Sequence, residues 1–208
     1  MPIEFVKPME IEKRSFEIIG EILGDKKIDP QKEPIVKRVI HTTADFDYYD
    51  NLYFSSGAVD AFINAVKSGA HIVTDTNMAK SGVNKKALAT FGGQVHCFMA
   101  DEDVAQEAKE LGVTRAAVSM KKAAKMGVPL IFAIGNAPTA LIELKNLMDS
   151  KALTPAFIIG VPVGFVNVVE SKELIIESDV PCIVARGRKG GSNVAAAICN
   201  AVLYMLTR

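Results

Sequence analysis

Three cations fall within four positions at Arg186, Arg188 and Lys189, and Gly190 and Gly191 follow them directly. Clustered Arg and Lys bind anions, and glycine lets a backbone come close to a ligand. Ser192 or Asn193 is placed to cap a following helix, whose free N–H groups and dipole attract negative charge. Carboxylate and phosphate both fit such a loop. A second run, Gly135-Asn136-Ala137-Pro138-Thr139, puts proline where a first helical turn accepts it. Asn136 and Thr139 there could offer hydrogen bonds at another helix N-terminus.

Single residues add to these loops. His41 closes a short apolar-periodic segment and sits off its stripe, at a helix end whose dipole attracts cations; that suits either a helix cap or surface group or a proton donor. Arg115 begins a helix, where a cation opposes the dipole, so a negatively charged partner is expected. Ser15 shares a helical face with Ile11, Ile18, Ile19 and Ile22, and either points into a pocket or bonds to its own helix. Lys80 adds charge near the end of a strand. His71 and His96 occupy strand positions and read as structural. Three histidines without ligand spacing give no metal site, and the Gly-rich phosphate and dinucleotide motifs and the nucleophile elbow are absent.

These residues need elements to hold them. The first forty residues read as two helices, and residues 44–56 as an aromatic, acidic loop with one short extended piece. From residue 57 the pattern alternates. Strands are expected at 70–74, 95–99, 129–134, 156–161 and 182–185, and helices at 57–68, 83–91, 102–111, 115–126, 138–149 and 165–175, with a last one through Val194–Met205. Short continuous apolar strands, each followed by a helix, imply a buried parallel sheet. The expected fold is α/β, three-layered (αβα) and flavodoxin-like, with five parallel strands and an N-terminal helical arm, as one domain over 1–208. In such a sheet ligands bind beyond the carboxyl ends of the strands. That places 75–80, 135–139, 162–165 and 186–193 together.

Composition narrows the classes. In 208 residues, 24 Lys and Arg balance 24 Asp and Glu, so no overall basic field draws nucleic acid. Hydrophobic residues make up 49%, which excludes a disordered chain and hints at surface covered by a second copy. Cys97, Cys182 and Cys199 lie in apolar runs with no CxxC pair, the pattern of buried thiols in a reducing compartment. Met1-Pro2-Ile3-Glu4-Phe5 lacks the cationic start and apolar stretch of a signal peptide, and no segment reaches membrane-span length. A cytoplasmic protein is expected.

With these residues in hand, the chain resembles the precorrin-8X methylmutases, also called cobalt-precorrin-8 methylmutases, over roughly residues 5–206. The resemblance rests on Ile11-Glu12-Lys13-Arg14-Ser15-Phe16, Arg38 to Asp45, Ile72-Val73-Thr74-Asp75 with Met78, and Thr114-Arg115. It continues through Gly135 to Leu141, Pro162 to Asn167, Glu170-Ser171-Lys172-Glu173 and Arg186 to Ser192. Order and spacing together make it specific. Ser81-Gly82-Val83 stands where Ala-Gly-Ile is expected, a conservative departure.

The resemblance implies a homodimer binding a tetrapyrrole at the subunit interface. It also implies a cofactor-free transfer of a methyl group from C-11 to C-12, a formal 1,5-sigmatropic shift in cobalamin biosynthesis giving hydrogenobyrinate or cobyrinate. The family's catalytic histidine falls on His41, and Ser15, Thr42 and Arg115 match positions associated with the substrate. Such a shift needs no nucleophile, but it needs a ring held in one conformation and charge stabilised. Two other classes fit the residues alone: a tetrapyrrole carrier without turnover, and a phosphate- or nucleotide-binding α/β enzyme.

Overall fold

The computed structural model of the chain describes residues 3–208. Met1 and Pro2, part of the start read above for a signal peptide, lie outside the described residues. After a 3-10 turn at Pro8–Glu10, helix α1 runs Ile11–Leu23 and ends at Gly24, whose φ of 58° only glycine adopts readily. Helix α2, Glu33–Thr43, carries Pro34 in its first turn and stops where Ala44 turns left-handed. Then come α3 (Tyr48–Asn51), β1 (Leu52–Phe54) and α4 (Ala58–Lys67). Next are β2 (His71–Thr74), α5 (Asn77–Gly82), α6 (Lys85–Ala89) and β3 (Val95–His96). They are followed by α7 (Glu102–Leu111), α8 (Arg115–Ala124), β4 (Leu130–Ile134) and α9 (Pro138–Asp149). The chain closes with β5 (Phe157–Gly160), α10 (Val168–Ile176), β6 (Cys182–Ala185) and α11 (Ser192–Thr207).

The sheet has six strands in the order β1-β6-β5-β4-β2-β3 and is mixed. Strands β2 to β6 pair in parallel, while β1 runs antiparallel to β6, with Leu52 opposite Ala185 and Phe54 opposite Ile183. This corrects the expectation of five parallel strands. The sixth is an extended piece within the segment 44–56, read above as a loop with one such piece; its joining the sheet is not expected from the sequence, since three residues, two of them half-exposed, leave no periodicity to detect. The third expected strand shrinks from 95–99 to Val95–His96, and Asn77–Gly82, read as loop, forms a short helix capped by the Thr76 hydroxyl.

Burial on both faces explains the continuous apolar strands. On one face Ile131, Ala133, Phe157 and Ile159 pack with α2, α4 and α11, including a Phe62–Phe157 stack with centroids 4.6 Å apart. On the other, Leu130, Phe132, Ile134 and Ile158 pack with α8, α9 and α10. Each fully buried Ile or Phe contributes ~1.5–3 kcal/mol relative to exposure. Helix α1 lies outside this frame, against α2. Of its expected stripe only Ile19 is buried, joined by Leu23, while Ile11, Ile18 and Ile22 face outward.

Candidate functional site

The loops after β2, β4, β5 and β6 converge at the carboxyl ends of the parallel strands, and a few polar contacts lock them to one another. Asp75, directly after β2, is fully buried. Its Oδ1 accepts from the Gly135 N–H at 2.9 Å, and its Oδ2 from Asn136 and Ala137 at 2.8 and 2.6 Å. Burial pushes this carboxyl's pKa up, against the opposing pull of those three donors. The N–H groups of Gly135, Asn136 and Ala137 are therefore occupied by the protein's own carboxylate.

The Thr76 and Ser192 hydroxyls meet at 2.7 Å, joining the loop after β2 to the start of α11. A Cβ on Gly135 would lie 2.7 Å from Ser192 Cα, so this strand end touches that helix backbone to backbone. Gly191 is the N-cap of α11, and no side chain caps it; the expected cap by Ser192 or Asn193 does not form, because the Ser192 hydroxyl turns to Thr76. Thr114 caps α8 by accepting from the Ala117 N–H at 3.2 Å, and its hydroxyl donates to Thr139 at 2.8 Å. Arg115 and Thr139 thus stand at adjoining helix starts.

Among the candidate cations the structure separates two kinds. Lys80, Arg115 and Arg188 have no ion-pair partner among the described residues, and Arg115 and Arg188 are exposed. Lys189 is engaged, with Nζ 2.6 Å from both Asp45 and Asp47. Those contacts raise the lysine and lower Asp45. Its side chain therefore serves as a strut between the loop after β6 and the segment after His41, with its charge already matched. Arg186 lies over Tyr53 at 5.0 Å and 3.9 Å from Glu173.

His41 is exposed in the last turn of α2, and Thr42 beside it is exposed too. Phe16 of α1 abuts the imidazole. Ser15, one residue before it, donates to Ile11 O of its own helix at 2.8 Å. Arg38, one turn before His41, fixes α1 on α2 through two hydrogen bonds to Glu12, at 2.9 and 3.0 Å, and lies between the rings of Phe16 and Tyr204, 4.9 Å from each. Asn136 is exposed and Thr139 half-buried. His71 and His96 bond to each other at 2.9 Å across β2 and β3. Among the described residues no group of three or more His, Cys, Asp or Glu side chains is gathered for a metal.

Apolar side chains stand in open solvent too: Phe165 and Val166, on the loop after β5, are 83% and 79% exposed, and Met78, in the first turn of α5, is 72% exposed. Patches like this mark binding surfaces. Reading the sequence missed the buried organisers of the site, Asp75 and Lys172. Each carried a detectable signal: Asp75 ends an apolar strand, and Lys172 sits at helical spacing between Val168 and Ile175 on the buried face of α10.

A precorrin-8X methylmutase family model matches residues 10–205. A cobalt-precorrin-8 methylmutase of Salmonella typhimurium is 46% identical over 206 residues, spanning 96% of each chain. One from Priestia megaterium is 46% identical over 197 residues, covering 95% of this chain and 88% of its own. The crystal structure of a precorrin-8X methylmutase from Thermus thermophilus superposes with a TM-score of 0.86 at 38% identity, covering 94% of this chain and 96% of the other. Matched by that model over residues 10–205 and 46% identical to those two relatives, the chain belongs to the precorrin-8X methylmutase family.

Proposed function

We propose that the protein is an isomerase of cobalamin biosynthesis. It moves a methyl group from C-11 to C-12 of precorrin-8X or cobalt-precorrin-8 and releases hydrogenobyrinate or cobyrinate. The observation that carries this reading is the pairing of unpartnered cations with exposed Phe165, Val166 and Met78 at the strand ends. A flat macrocycle edged with carboxylates presents the complementary surface. Lys80, Arg115 and Arg188 take its side-chain carboxylates, with Arg186 beside them and Asn136, Thr139, Ser15 and Thr42 lining the site. Lys189 acts by holding its loop.

His41 is the catalytic residue. It donates a proton or hydrogen bond to the ring nitrogen next to the migrating methyl, which stabilises charge as the conjugation shifts. A shift of one methyl within one molecule neither gains nor loses electrons, so the reaction as read uses no cofactor. Cobalt, where present, arrives inside the substrate, and both relatives at 46% identity carry names for the cobalt form.

The outward Ile11, Ile18 and Ile22 of α1, with Phe5 and Met9 before them, support a homodimer that covers this strip. The parallel strands, taken alone, follow the order of a flavodoxin-like sheet, which favours that classification and a single domain. Buried cysteines without disulfides favour the cytoplasm. No helix among the described residues is long and apolar enough to cross a membrane.

The test is to incubate the purified protein with precorrin-8X and with its cobalt complex, following absorbance and product mass. A spectral change at constant mass is expected, and the faster substrate names the route. Tight binding without any spectral change would leave a carrier in place of an enzyme.

A further inference from the structure

Lys172 is 0% exposed, on a helix already anchored by Val168 and Ile175. Burying an ammonium costs several kcal/mol in desolvation, and a leucine or methionine would fill the same volume without it. Among the described residues no carboxylate forms an ion pair with it; burial holds its pKa down to about 8, and the charge of Glu173, the next residue, pulls the other way. What the amine does that an apolar chain cannot is donate to two carbonyls, Gly187 O at 2.7 Å and Lys189 O at 2.9 Å.

Those carbonyls flank Arg188, whose own carbonyl accepts from the Gly164 N–H at 3.2 Å. Three consecutive carbonyls are thereby turned into the protein. The N–H groups of residues 187–190 make no hydrogen bond within the described chain. Peptide planes whose oxygens are tied down present their N–H ends on the other side, and successive free N–H groups form a concavity for an anion. A Cβ on Gly190 would collide with Val161 O, so the loop sits directly on the end of β5, and Gly191 N–H bonds to that same oxygen at 2.9 Å.

We propose that Lys172 is the positioning residue of a backbone anion site made by the N–H groups of Arg188, Lys189 and Gly190, which takes one carboxylate of the substrate while the Arg188 side chain covers it from the side. This rests on the reading of the substrate as a polycarboxylate tetrapyrrole. Lys172 itself touches no ligand. It acts by turning the carbonyls away from the incoming negative charge and by placing its own positive charge beneath them.

The test compares wild type, Lys172→Met, Lys172→Gln and Lys172→Arg as full-length proteins, with the tetrapyrrole substrate and without it. Lys172→Met should raise KM about 10-fold and leave kcat within about 2-fold, the signature of lost uniform binding. Lys172→Arg, which keeps the charge and donors, should restore most of the affinity. Without substrate, amide exchange at Gly164 and Gly191, whose N–H groups report loop docking, should quicken about 10-fold in Lys172→Met. If Lys172→Met does not fold, Lys172→Gln, which keeps a donor, is read in its place. Unchanged KM and unchanged exchange overturn the proposal, as does failure of both variants to fold, which would assign Lys172 to the fold alone. An inactive wild type overturns the methylmutase reading instead, while the exchange arm still decides whether Lys172 positions the loop.

Discussion

The imidazole of His41 meets the ring of Phe16 edge to face, with centroids 5.5 Å apart and planes at 89°. Phe16 also lies under the guanidinium of Arg38, so one ring both backs the histidine and seats the ion pair that joins α1 to α2. Removing the ring should let the imidazole turn freely. Phe16→Ala is expected to lower kcat about 10-fold while the protein stays folded. His41→Ala should lower it about 10²–10⁴-fold, the range for a positioned proton donor. Rates and circular dichroism on the two variants check this; equal kcat for Phe16→Ala and wild type would release Phe16 from a role in orientation.

Asp75 organises the site without facing a ligand. An asparagine in its place has one acceptor oxygen for three N–H groups, and the buried donors left over lose their partners. Asp75→Asn should cost about 3 kcal/mol and lower Tm about 10 °C, by the usual magnitudes for buried hydrogen bonds to charge in a chain of this size. Thermal unfolding measures it. Because the carboxylate spans the loops after β2 and β4, substrate affinity should weaken in the same variant.

Acid should loosen α1 first. Arg38 and Arg208 hold the Glu12 carboxyl down to about 2 from 4.5, through hydrogen bonds and charge. A carboxyl whose folded pKa is depressed contributes stability that is complete above its unfolded pKa and is lost as pH falls from about 4.5 towards 2. Glu12 is part-exposed, so solvent screening leaves about 1 kcal/mol of that contribution. Glu12→Gln should be less stable than wild type at pH 7 by that amount, and the difference should vanish near pH 2. Urea titrations at the two pH values test the sign.

The thiols should be silent until the chain unfolds. Cys97, Cys182 and Cys199 are all buried, and burial pushes the Cys182 thiol up to about 11 and that of Cys199 up to about 12. A thiolate is the reactive species, so neither reacts at neutral pH. Titration with a disulfide reagent should find no fast thiol in the native protein and three in denaturant. A rapid native reaction at Cys182 or Cys199 would contradict the packing of β6 and α11.

Much of this was legible in the sequence, for identifiable reasons. The central strands are buried on both sides, so Leu130–Ile134 and Phe157–Gly160 read as unbroken apolar runs whatever their neighbours do. The strand-end loops could be grouped because a parallel sheet forces its carboxyl ends together. One short extended piece is expected in 44–56, but its place as a sixth strand at Leu52–Phe54 was not legible, since a three-residue edge strand takes its structure from pairing with β6 and not from its own pattern. The pairing of Lys189 with Asp45 spans 144 positions, and no local spacing announces such a contact. The same holds for the carboxylate of Asp75, which reaches its partners 60 to 62 residues away. Local periodicity finds elements; the ties between elements come from the tertiary arrangement.

The two margins of the sheet are β1, three residues long, and β3, two. Unpaired strand margins recruit other chains into fibrous or amorphous aggregates, and short ones offer too few hydrogen bonds to do so. The protein leaves bulky side chains such as Phe165 in open water, so its colloidal behaviour depends on having no ladder beside them to extend. Clumping at high concentration should therefore proceed by side-chain adhesion, reversible by dilution, and not by growth of cross-β structure.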